Sequence, residues 1–221
     1  MGMQHYHLNV KGDKFFKIVD GEEVRVDYSL KNSERIALID RDGVIVEKPE
    51  RHKYWHSPSD MNVLPGVPQA IKYLNDRNVP VMIITNQPGI YKKEFAIKDL
   101  VEMNEVIQRS ISKNGAHIDG VIFCPHGKAS ETEGCTCRKP SPGMVISGMG
   151  LYHTPEEKTY VFGDFASDIG AAVNAGVNPI WVATKHDEYE IMREQISEKY
   201  PDVFKKAQFN DLYAAVKAVI V

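Results

Sequence analysis

The chain has 221 residues, of which 43% are hydrophobic and 26% charged, and its formal net charge is -3. That size and apolar content suit one sizeable α/β domain with a real core. The charge excludes the global basic field that nucleic-acid binders use, and no apolar run approaches the ~20 residues that span a membrane. Residues 1–10 lack the apolar stretch of a signal peptide, so a cytoplasmic protein is expected.

Residues 1–35 differ in pattern from residues 36–221. Phe15 to Val19 and Val24 to Tyr28 flank Asp20-Gly21, a turn-forming pair, and predict a β-hairpin appended to a main domain over 36–221. A partly disordered leader is the alternative. From Ile36 onward, short Val- and Ile-rich runs alternate with helical patterns. The runs are Ile36 to Ile39, Val79 to Ile84, Val121 to Phe123, Tyr160 to Phe162 and Pro179 to Val182. Each reads as a strand covered on both faces. Val67, Ala70, Ile71 and Leu74 fall at helical spacing, and so do Ile97, Leu100, Asn104, Ile107 and Ile111. Asp187 to Tyr200 and Asn210 to Val219 predict two later helices. The alternation implies a doubly wound, mainly parallel sheet, whose ligands sit beyond the carboxyl ends of the strands.

Those strand ends carry polar residues. The first core strand runs into Asp40-Arg41-Asp42-Gly43, where two carboxylates one residue apart can face one pocket. Phosphoryl transfer needs a nucleophile, a proton donor and a divalent cation, and an Asp-x-Asp pair can serve all three. An ordinary Asp-Gly turn competes with this reading. A calcium loop is less compatible, because Val44-Ile45-Val46 interrupts its ligand pattern. The second strand ends in Thr85-Asn86-Gln87, either a hydroxyl donor to a phosphoryl oxygen or ordinary turn formers. Gly163-Asp164 follows a later strand, and Asp168 stands four residues on at a helix start. Asp164 is placed as a magnesium ligand, whereas Asp168 also suits a helix cap. Arg138-Lys139-Pro140 supplies fixed positive charge.

The three cysteines lie together, as Cys124-Pro125-His126 and Cys135-Thr136-Cys137. Three thiolates and one imidazole form a closed four-ligand set for structural zinc, in a loop over 124–137 that leads directly into Arg138. Free buried thiols are the alternative. His5, His7, His52 and His56 read as solvated surface histidines.

Asp40-Arg41-Asp42-Gly43, Thr85-Asn86-Gln87, Arg138-Lys139-Pro140 and Gly163-Asp164-x-x-x-Asp168 resemble the four ordered motifs of the haloacid-dehalogenase (HAD) superfamily of phosphatases. The cysteine loop narrows the resemblance to the minimal-cap subgroup of heptose 1,7-bisphosphate and histidinol-phosphate phosphatases. The resemblance covers Ile36 to about Thr184. It implies a HAD-like Rossmannoid fold and magnesium-dependent hydrolysis through a phospho-aspartate. It further implies that Asp40 is the nucleophile, Asp42 the acid and then base, and Thr85 and Lys139 the phosphoryl holders. Magnesium would be held by Asp40, the Asp42 carbonyl and Asp164, with Asp168 supporting. Asn86, Lys92, Lys93 and Arg138 are the candidate substrate contacts. Thr85 to Ile90 and Arg138 to Met144 look more like the heptose enzymes. Two departures stand against this: Lys92-Lys93 replaces a usual Arg-Gly, and Phe165 replaces a usual lysine after the fourth-motif aspartate. The expected substrate is a small phosphorylated metabolite, a sugar bisphosphate first and histidinol phosphate second, with no nucleic-acid or membrane partner and a monomeric chain. A phospho-accepting receiver domain would need its acceptor on a later strand and no zinc loop. A catalytically inactive scaffold would have no use for Asp40, Asp42, Lys139 and Asp164 together.

Overall fold

The computed structural model describes residues 6–8, 33–50, 53–128 and 135–221. The hairpin expected over Phe15 to Tyr28 lies outside the described residues, as do His5 and His52; His56 is exposed. Among the described residues every strand belongs to one seven-stranded sheet. The strands are β1 (Tyr6–Leu8), β2 (Ile36–Ile39), β3 (Val81–Asn86), β4 (Gly120–Cys124), β5 (Thr159–Gly163), β6 (Asn178–Val182) and β7 (Gln208–Phe209). Their order is β1-β4-β3-β2-β5-β6-β7; β1 pairs antiparallel with β4 and all other neighbours are parallel. The doubly wound, mainly parallel expectation therefore holds.

Strand β2 explains why the sequence runs are continuously apolar. Ala37 and Ile39 pack into one core with Ile83, Val121 and Phe162, while Ile36 and Leu38 pack into the opposite core with Ile84, Ile122 and Val161. Successive side chains point to opposite faces, so a strand covered on both sides has no polar position. The first core is closed by helices α1 (Val67–Asn75), α3 (Ile97–Ser112) and α8 (Leu212–Val219), and the second by α4 (Gly143–Tyr152) and α5 (Ala166–Ala175). Val67, Ala70, Ile71 and Leu74 are all buried, as their spacing requires. In α3 the polar lapse, Asn104, is buried with its apolar neighbours.

Several elements differ from the sequence expectation. Helix α4 lacks a usable stripe because three of its residues are glycine, yet Gly148 is what lets it approach the sheet. A Cβ there would stand 2.7 Å from Leu38 Cδ2. Helix α6 (Tyr189–Lys199) ends before Pro201, which opens the separate helix α7 (Pro201–Lys206). A proline at a first helical position starts a new helix more readily than it continues an old one. Strands β1 and β7 span three and two residues, too short to show a period of two. Helix α2 (Pro88–Tyr91) completes the set. Among the described residues, no helix is long and apolar enough to cross a membrane.

Candidate active site

The three central strands β3, β2 and β5 release their carboxyl ends side by side, bringing Thr85, Asp40 and Asp164 into one place. Strand β4 lies next to β3 and delivers Cys124. A cavity of about 260 Å³ opens there, with Asp40, Asp42, Thr85, Asn86, Arg138 and Lys139 in its wall.

Lys139 is buried between two carboxylates, with Nζ 2.6 Å from Asp40 Oδ1 and 2.5 Å from Asp168 Oδ1. It also donates to the Ile84 carbonyl at 2.8 Å. Burial works against its charge, but Asp168 and Asp40 outweigh that and hold the ammonium above the ordinary lysine range. Burial likewise pushes the Asp40 carboxyl up to about 6; Lys139 opposes the shift, while Asp168 and Asp42 reinforce it. Burial also raises Asp168, again against Lys139. Asn86 fixes the lysine backbone: its Nδ2 donates to the Lys139 carbonyl at 3.1 Å, and its Oδ1 accepts the Lys139 N–H at 3.0 Å. Its amide thus serves the position of Lys139 while also lining the cavity.

Asp42 is held from two sides. The Arg41 guanidinium grips both oxygens, Nε to Oδ2 and Nη2 to Oδ1, each at 3.1 Å. Gln87 Nε2 donates to Asp42 Oδ2 at 3.0 Å and to Thr85 Oγ1 at 2.8 Å. Because the Thr85 oxygen accepts that bond, its own hydrogen is left to donate elsewhere.

Asp164 is buried. Its Oδ2 faces His186 Nε2 at 3.1 Å and Lys48 Nζ at 3.4 Å, whereas its Oδ1 has no hydrogen-bond partner among the described residues. One carboxylate oxygen from each of Asp40, Asp164 and Asp168 lies within 4.8 Å of the others. Two of these three buried acids share Lys139, and a buried carboxylate oxygen without a donor, as Asp164 Oδ1 is, is costly. The donors are all hard oxygens. This arrangement fits a magnesium-type cation. Gly43 stands against it at φ +98°, where a Cβ would lie 2.4 Å from Asp164 Oδ2. Asp168 Oδ2 also accepts the Phe165 N–H at 3.0 Å at the start of α5, so it caps that helix.

Cys124, His126, Cys135 and Cys137 converge beside the cavity as free thiols around one imidazole. His126 Nδ1 lies 3.5, 3.3 and 3.3 Å from the three sulfurs in chain order. Cys135 Sγ is 3.7 Å from Cys124 Sγ and 3.5 Å from Cys137 Sγ. Burial and then Arg138 lower the imidazole pKa, favouring its neutral, ligating form. Arg138 Nη1 donates to the His126 carbonyl at 3.0 Å, which ties the loop to the cavity wall.

Lys92 and Lys93 are exposed and stand outside the cavity lining; Lys92 Nζ lies 5.8 Å from the Tyr54 ring centroid, and Tyr54 does line it. The wall cations besides Arg138 and Lys139 are Arg41, Lys48 and Lys53. Lys48 Nζ sits 3.2 Å over the Phe165 ring. Arg41 and Gln87 stand inside the Asp40–Gly43 and Thr85–Gln87 motifs. Lys48 and His186 carry no sequence signal, because each stands in an irregular loop with no pattern to mark it.

Residues 136–205 match the HAD-hydrolase-like family model. The chain is 32% identical over 150 residues to the D-glycero-beta-D-manno-heptose-1,7-bisphosphate 7-phosphatase of Neisseria meningitidis serogroup A, covering 68% of this chain and 78% of that protein. The chain belongs to the HAD phosphatases. It is a phosphoric monoester hydrolase with the expected fold. The Escherichia coli K12 enzyme of the same name is 32% identical over 144 residues, 63% of this chain and 74% of its own. The crystal structure of D,D-heptose 1,7-bisphosphate phosphatase from B. bronchiseptica, complexed with magnesium and phosphate, superposes with a TM-score of 0.71 at 27% identity. It covers 83% of this chain and 97% of that one. A HAD-like phosphatase from Mesorhizobium loti shares the fold, with a TM-score of 0.66 at 18% identity over 95% of this chain and 97% of that one.

Proposed function

We propose that this HAD phosphatase hydrolyses a sugar bisphosphate, with D-glycero-D-manno-heptose 1,7-bisphosphate and its 7-phosphate as the first choice. A carboxylate oxygen of Asp40 attacks phosphorus, and the bond from phosphorus to the ester oxygen breaks. Asp42, protonated, gives its proton to the departing oxygen. Water then attacks the phospho-aspartate, its proton passes to Asp42, and the Asp40 carboxylate is released with inorganic phosphate. Thr85 and Lys139 hold the transferring group. Magnesium held by Asp40, Asp164 and the Asp42 carbonyl, with Asp168 in support, would screen the phosphoryl charge and favour the ionised nucleophile. Gln87 and Arg41 keep Asp42 beside the nucleophile between the two proton transfers.

The observation that carries the substrate reading is the set of cations lining the cavity beyond Lys139: Arg138, Lys48, which also faces Asp164 and Glu188, and Lys53, which is exposed and pairs with Glu50. Charge-assisted bonds to a second phosphate give orientation as well as affinity. Histidinol phosphate brings a cationic amine, which that wall would repel. The names of the relatives support the same choice. Lys92 and Lys93, from their exposed positions, act at most as an outer attraction for anions.

The same reading places a structural zinc ion on Cys124, His126, Cys135 and Cys137. A tetrahedron with ordinary zinc bond lengths has edges of about 3.8 Å between sulfurs and about 3.6 Å between sulfur and nitrogen. The separations of 3.3 to 3.7 Å are close to that. The ion would hold Arg138 at the cavity through the His126 carbonyl. A monomer is the proposed state, and a cytoplasmic setting suits the free thiols.

Phosphate release measured over the heptose bisphosphate, other sugar phosphates and histidinol phosphate tests the proposal. A kcat/KM preference for the heptose bisphosphate is expected. Equal or better hydrolysis of histidinol phosphate would overturn the substrate choice and leave the phosphatase standing.

A further inference from the structure

We infer that His186 is a positioning residue, which fixes the rotation of the Asp164 carboxylate and so presents its free oxygen to the catalytic cation. The inference rests on the reading of Asp164 as a metal ligand.

His186 lies in the loop after β6, its side chain only 9% exposed. The backbone N–H of Glu188 donates to His186 Nδ1 at 3.1 Å. A nitrogen that accepts a hydrogen bond carries no hydrogen, so the hydrogen of the neutral ring is on Nε2. Nε2 is the atom that faces Asp164 Oδ2 at 3.1 Å. The ring is stacked on Phe165, the residue after Asp164, with centroids 6.0 Å apart and planes 15° from parallel. Its tautomer is thus set by one backbone group and its plane by one aromatic neighbour.

The consequence falls on the other oxygen. With Oδ2 3.1 Å from the imidazole Nε2 and accepting from Lys48 Nζ at 3.4 Å, rotation of the carboxylate would break both polar contacts. Oδ1 is left buried and without a partner among the described residues. The Asp164 main chain is fixed as well, since the Trp181 indole N–H donates to its carbonyl at 3.2 Å. An outer residue that pins one oxygen of a ligating carboxylate spares the cation the entropy of ordering it.

The test is a calorimetric magnesium titration of the full chain freed of magnesium with its cysteine cluster intact, using wild type, Asp164→Asn, His186→Ala and His186→Gln. His186→Ala should weaken magnesium affinity about 10- to 100-fold. His186→Gln, whose amide can still donate to Oδ2, should recover most of it. At saturating magnesium kcat should return to within a few-fold of wild type, so the loss lies in the metal requirement and not in the chemistry. Nitrogen-15 imidazole spectra of the metal-free wild type should show His186 as the Nε2–H tautomer; the Nδ1–H tautomer would overturn the inference even if His186→Ala fails to fold. Affinity within twofold of wild type in His186→Ala, with binding lost in Asp164→Asn, would overturn the inference alone. Unchanged affinity in Asp164→Asn would overturn the metal reading and the inference together.

Discussion

Gly43→Ala isolates the close approach on which the cation site depends. The backbone there has φ +98°, and a non-glycine residue held in such a region costs about 1–3 kcal/mol. The added Cβ would lie 2.4 Å from Asp164 Oδ2, which is short of van der Waals contact by about 1 Å. The oxygen cannot simply swing away, because His186 and Lys48 engage it. Displacing it forfeits the hydrogen bond from Lys48 and the contact with His186, about 1–1.5 kcal/mol. The sum is about 2–4 kcal/mol, or a fall in Tm of about 5–15 °C for a chain of this size. Gly176→Ala is the control, since that glycine also has positive φ but open space around the new Cβ. It should cost about 1 kcal/mol and about 2–4 °C. Thermal melts of both variants, with activity followed against magnesium concentration, make the comparison. Gly43→Ala should melt well below Gly176→Ala and need more magnesium. Equal melting of the two with an unchanged magnesium response would refute the argument that Gly43 exists to admit the Asp164 carboxylate.

Lys139→Met should remove nearly all activity and, by leaving Asp40 and Asp168 without their buried partner, cost about 3–5 kcal/mol in magnesium-free melts; a Tm within 2 °C of wild type would contradict the pairing. Cys135→Ser should lower bound zinc, measured by elemental analysis, from about one ion per chain toward none and raise KM through Arg138. Wild-type protein purified without chelator and free of zinc would refute that assignment. Lys48→Ala and Lys53→Ala should raise KM for a sugar bisphosphate more than Lys92→Ala and Lys93→Ala do; the reverse order would return the second phosphate to the exposed pair.

The candidate site is legible in the sequence because a parallel α/β sheet presents its ligand-facing residues at strand ends, and buried strands announce themselves as short apolar runs. Ile36 to Ile39, Val79 to Ile84 and Tyr160 to Phe162 therefore point to Asp40, Thr85 and Asp164. The cysteine loop is legible from composition alone. What stays hidden is whatever depends on packing between segments distant in the chain. His186 follows an ordinary apolar strand, and Lys48 stands in an irregular loop, so neither has a pattern to mark it. Helix α4 escapes a periodicity reading because three of its positions are glycine, one of which, Gly148, is where close packing on Leu38 requires it. Lys92 and Lys93 suggest substrate contacts by charge alone, but charge does not reveal which way a loop turns.

The central claim is that phosphate passes through Asp40. Turnover stopped by rapid acid quench, followed by borohydride reduction and peptide mass mapping, tests it directly. A phospho-aspartate is an activated acyl group and is reduced to homoserine, so position 40 should be found as homoserine in samples quenched during turnover and as aspartate in samples without substrate. Intact aspartate at position 40 during demonstrable turnover, or a reduced residue at any other position, would contradict the account.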